Sequence, residues 1–96
     1  MIQEVIVKAN AHEALRPLVQ AAIRNQLKIL QQGIDLSRER IAEFEKITGM
    51  SSAEFEKKLL EREIEDTLDV LDWNMELASM RLLERQYKYL DEAEVR

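Results

Sequence analysis

Apolar residues return at every third or fourth position over most of this chain, the period of an amphipathic helix. Ile23, Leu27, Leu30, Ile34, Ser37, Ile41, Phe44 and Thr48 follow a 4-3-4-3-4-3-4 spacing, which is that of a coiled-coil seam. Ser37 and Thr48 are its polar interruptions, and Gly33 stands beside it. Asn10 with Glu13 has the form of a capping box, but Pro17 would kink a helix already under way and suits a first turn. The spacing therefore predicts a long helix over 17–48, after an N-terminal arm and turn over 1–16. Residues 2–8, IQEVIVK, have the β-branched content of a short strand or extended arm. Gly49 suits a left-handed helix stop, and Ser51 with Glu54 supplies a capping box for a second helical arm over 52–90. No Gly or Pro interrupts that arm, so it is expected to run continuously or to bend near 61–65.

The second arm carries two apolar stripes. Ile64, Leu68, Leu71, Met75, Ala78, Leu82 and Tyr89 form one; Val70, Trp73, Leu77, Met80 and Tyr87 form another, roughly 180° away at about 100° of rotation per residue. A two-helix protein needs one such stripe to cover its own core, so the second asks for a further surface. Trp73, the only Trp, lies on the second stripe, and Trp is enriched where interfaces draw most of their energy. The competing reading packs Trp73 beneath the first helix, or beneath 52–60 through Phe55. The expected docking set is Asp66, Asp69, Val70, Trp73, Leu77, Met80 and Tyr87. The expected self-association set is Leu27, Leu30, Ile34, Ile41 and Phe44 on the first seam.

Composition sharpens this picture. Ninety-six residues with two Gly and one Pro suit a single domain of helices joined by short turns. Net charge is −5, unevenly spread. Residues 1–40 hold six Lys/Arg against four acids, and residues 41–96 hold eight against fifteen. Glu61, Glu63, Glu65, Asp66, Asp69 and Asp72 form an acidic run that repels nucleic acid and attracts basic surfaces. There is no Cys, which excludes disulfides and thiolate metal sites. No signal-peptide pattern opens the chain, and no apolar run approaches the roughly 20 residues that span a bilayer; a cytoplasmic location is the expectation.

The residues offer little for catalysis. His12 is the only histidine, so the Glu-x-x-His pairs of di-iron bundles cannot be built, and no motif recruits a serine to it. Gly33 and Gly49 are isolated and make no phosphate loop. Helical nucleotide pyrophosphohydrolases pair Glu-x-x-Glu with Glu-x-x-Asp to hold Mg²⁺; only Glu63-x-x-Asp66 is present. Several oxygens must converge on one such ion. No enzyme activity, metal or cofactor is expected. The arm followed by helix has the outline of a ribbon-helix-helix DNA reader, but its polar residues, Gln3, Glu4 and Lys8, are not clearly basic.

Phe44-Glu45 closing a long helix, then Gly49-Met50-Ser51-Ser52, Glu54-Phe55, the acidic stretch to Asp72 and Trp73 together resemble small all-helical prokaryotic antitoxin-like proteins of toxin–antitoxin pairs. The resemblance covers about a third of the chain. It implies a protein that covers a basic toxin-like partner through an acidic amphipathic helix. A Gly in the turn before the acidic stretch belongs to that pattern; Arg62 lies in that region here, which favours a more continuous final helix.

The expectation is thus an all-α helical hairpin with a short extended N-terminus, pairing as an antiparallel homodimer that resembles a four-helix bundle. Its expected role is non-enzymatic protein binding of the antitoxin-like kind. The alternatives are a homodimeric scaffold or adaptor without a toxin partner, and a DNA-binding regulator acting through the N-terminal arm.

Overall fold

A computed structural model describes the backbone of residues 9–93 and the side chains of 13–93. The expected arm over 2–8, the His12 side chain and the tail past Ala93 lie outside the described residues. Helix α1 runs Ala9–Thr48, α2 Ser52–Leu60 and α3 Leu68–Asp91. The described residues hold no strand. The molecule measures 61 × 24 × 20 Å, and its long axis equals the rise of about 60 Å expected of a 40-residue helix.

One boundary differs from the pattern-based reading. Helix α1 starts at Ala9 and carries Pro17 in its interior, although proline removes one backbone donor there. Ala9, Ala11, Glu13, Ala14, Leu15 and Arg16 are all good or fair helix formers and carry the helix across that gap. The second arm, expected to run continuously or to bend near 61–65, is interrupted there. Helix α2 ends at Leu60, and seven residues separate it from α3.

Arg62 makes this break, standing at φ 58°, in the left-handed region where a Cβ is costly. Around it the Glu63 N–H donates to the Lys58 carbonyl at 2.8 Å and the Arg62 N–H to the Leu59 carbonyl at 3.2 Å. These are the two bonds of a Schellman stop, usually built on glycine. Carboxylates at Glu61 and Glu65 would repel one turn apart on a continued helix. Thr67 then caps α3, its hydroxyl accepting the Val70 N–H at 3.2 Å. Arg62→Gly is expected to raise stability by about 0.5–1 kcal/mol, and Arg62→Ala should not. Thermal melts check this, the glycine variant melting a few degrees higher.

Gly49 behaves as its position suggested, at φ 71° with its N–H on the Glu45 carbonyl at 2.8 Å. The turn at 49–51 leads into α2, capped by the Ser51 hydroxyl accepting from the Glu54 N–H. Helix α3 then folds back antiparallel along α1: Phe44 meets Trp73, Ser37 meets Glu76, and Gly33 faces Leu83. A Cβ on Gly33 would lie 3.1 Å from Leu83 Cδ1, so the missing side chain allows close helix approach. The core gathers Ile41, Phe55, Trp73 and Leu77, with Phe44, Met50, Leu59, Ile64, Val70 and Met80 packed against it. Leu30 and Ile34 extend the buried seam along α1.

Candidate protein-interaction surface

The site is defined by what the core leaves over. Trp73 is 2% exposed, and two rings lie nearly parallel to its indole. The Phe55 centroid is 3.9 Å away at 7°, and that of Phe44 is 5.6 Å away at 8°. The indole Nε1–H donates to the Ser52 hydroxyl at 3.2 Å, which meets the need of a buried indole for an acceptor. The Ser52 N–H in turn donates to Glu45 at 2.7 Å. Thus α2, through Phe55 and Ser52, seals one side of the α1–α3 pair over Trp73.

Polar side chains fix the same docking. Arg81 of α3 grips Glu56 of α2 with two hydrogen bonds of 2.6 Å. The Arg81 guanidinium holds the Glu56 carboxyl below its ordinary range by hydrogen bonding, against a smaller upward push from burial. Ser37, a weak point of the seam by sequence, is buried and donates to Glu76 at 2.7 Å. Glu76 also accepts from Arg40 at 3.4 Å. Arg38 and Glu84 add a surface pair at 3.2 Å, worth little alone.

These contacts correct the expected assignment of the two stripes. Trp73 and Leu77 are each 2% exposed and belong to the chain's own core. Val70 and Met80 pack against that core, and Tyr87 is partly buried. The reading that packed Trp73 against Phe55 is the one the fold adopts. Leu30, Ile34 and Ile41, expected to meet a second copy, are buried within the monomer, and Leu27 and Phe44 are partly covered. The physical reason is the break at 61–67, which lets α3 lie along α1 and occupy its seam. Asp66 and Asp69 are exposed, as a docking role requires.

The other stripe, apart from Ile64 at its start, faces outward. On it Leu68 is 79% exposed, Leu71 45%, Met75 68%, Leu82 47% and Tyr89 68%, with Ala78 exposed among them. Beside its N-terminal end lies the exposed acidic connection Glu61, Glu63, Glu65 and Asp66, flanked by Leu60. A second surplus lies on α1, where Leu18, Ile29, Leu36 and Ile47 are exposed. Ile47 and Met75 share an open groove between α1 and α3 with Arg40, Glu43, Asp72 and Ser79. Leu60, the last residue of α2, is 86% exposed.

No group of three or more His, Cys, Asp or Glu side chains among the described residues is placed to hold a metal ion. No described helix is long and apolar enough to cross a membrane. Comparisons with protein-family models, curated proteins and solved structures give no match to this chain.

Proposed function

We propose that this chain is a non-enzymatic protein-interaction module whose docking elements are the outward face of α3 and the acidic connection preceding it. One observation carries the reading. Large apolar side chains continue at 3-4 spacing along α3 on the face left exposed after the opposite face has closed the core. Contiguous exposed apolar surface on a small protein marks interaction sites. The carboxylates at 61–66 add a charge preference for a basic partner. This fits the antitoxin-like resemblance, in which an acidic helical protein covers a basic one, and self-association through the same element belongs to the reading.

Paired Leu71→Glu and Leu82→Glu substitutions test it. They are expected to keep helicity and the Trp73 fluorescence of the folded protein while abolishing association, measured by light scattering across a range of concentrations. Unfolding of the double variant, or association unchanged from wild type, would count against the proposal.

A further inference from the structure

We infer that the open groove between α1 and α3, on the side of that pair away from α2, seats a cationic amphipathic helix of a partner protein; this rests on the interaction-module reading above. On α1, Arg38, Ala42 and Glu45 share a cleft with Ser52 and Ala53 of α2, whereas Arg40, Glu43 and Ile47 line the groove. At about 100° of rotation per residue these two sets lie on roughly opposite sides of α1. The groove is therefore the side of the hairpin that α2 leaves open.

Its shape suits a helix. The walls, 40–47 on α1 and 72–79 on α3, each advance by three, one and three residues, the steps of a single helix face. The groove thus runs along the helix axes for about 10 Å. Leu36 and Leu82, each about half exposed, stand one turn beyond it at the same end and lengthen the apolar run to about 16 Å. A third helix laid between two antiparallel ones is ordinary bundle packing. Three turns of seat accept side chains at i, i+3 or i+4, and i+7 of an amphipathic helix.

Charge sets the occupant's chemistry. Glu43, Asp72 and Glu76 line the groove against one base, Arg40, and Arg40 is already paired with Glu76 at 3.4 Å. Glu43 and Asp72, one on each wall, are exposed and form no ion pair among the described residues. Between them lie Ile47 and Met75, 77% and 68% exposed, and Phe44, whose ring stacks on Trp73 behind the groove. An apolar floor with a free carboxylate on either bank complements a helix whose apolar stripe is bordered by Lys or Arg. The same carboxylates repel an acidic helix.

The probe is a fluorescent peptide of leucine and lysine in an amphipathic pattern, about four helical turns long, titrated with the full chain by anisotropy. Saturable micromolar binding is expected, with at least about tenfold weaker binding when glutamate replaces lysine in the peptide. Ile47→Lys and Glu43→Arg, both at exposed positions, should each weaken binding about tenfold with helicity unchanged. Glu54→Arg, an equal charge change at an exposed position on α2, should leave it within about twofold. Equal weakening by Glu54→Arg would mean that net charge alone holds the peptide, and overturns the groove assignment. A wild-type dimer that Ile47→Lys dissociates would give the groove to a second copy, and overturns it too. Binding lost in Leu71→Glu but kept in Ile47→Lys would remove the groove and leave the interaction-module reading standing. No binding of the lysine peptide overturns the groove alone, since the light-scattering test above decides the broader reading independently. If Ile47→Lys loses helicity, Glu43→Arg still tests the groove in a folded chain.

Discussion

Trp73→Ala is expected to remove about 3–5 kcal/mol of stability, a large share of the total for a domain of this size. The side chain is 2% exposed and joins all three helices, through Phe44 of α1 and Phe55 of α2. Its loss opens a cavity between two aromatic rings that cannot close without moving α2. It also removes the hydrogen bond to Ser52, although Ser52 is only partly buried and water can replace the indole there. Urea unfolding followed by circular dichroism measures the effect. A loss under about 1 kcal/mol, the scale of surface substitutions, would mean that the indole is not a core element.

The second large effect is expected at Phe55, the one buried residue of α2. Phe55→Ala should also cost about 3–5 kcal/mol, with a distinct spatial signature. A nine-residue helix is marginal alone, so α2 depends on its docking. The Arg81–Glu56 pair is largely exposed, and such pairs contribute about 1 kcal/mol or less, too little to hold α2 in place. Hydrogen exchange should therefore show the α2 amides losing protection, while those around Leu30 and Ile34 on α1 keep theirs. Wild-type protection of α2 in this variant would contradict the argument.

The contrast between these two sites shows where sequence reading succeeded. The α1 seam from Leu27 to Phe44 was legible because its spacing survives Ser37 and Gly33, and the structure explains both: Ser37 has Glu76, and Gly33 makes room for Leu83. Gly49 and Ser51 were legible as stop and cap because each acts through its own backbone or side chain. Arg62 was not, since nothing in an arginine announces a left-handed turn; the break is set by its surroundings. The two α3 stripes have similar apolar content, so periodicity alone cannot say which turns inward. That choice depends on a third element, α2, which brings Phe55 and an acceptor for the indole to one side only. The choice between the stripes follows from that contact across 21 residues of sequence separation.

The length of α1 has a hydrodynamic consequence. A compact chain of this size has a radius of gyration of about 12–13 Å, whereas this molecule's is 20.0 Å. It should diffuse and elute as a much heavier sphere would. A single copy on a column calibrated with globular standards can therefore pass for a pair, and only measurements of mass distinguish the two. Tumbling will also be anisotropic, with amide vectors along the α1 axis relaxing differently from those across it.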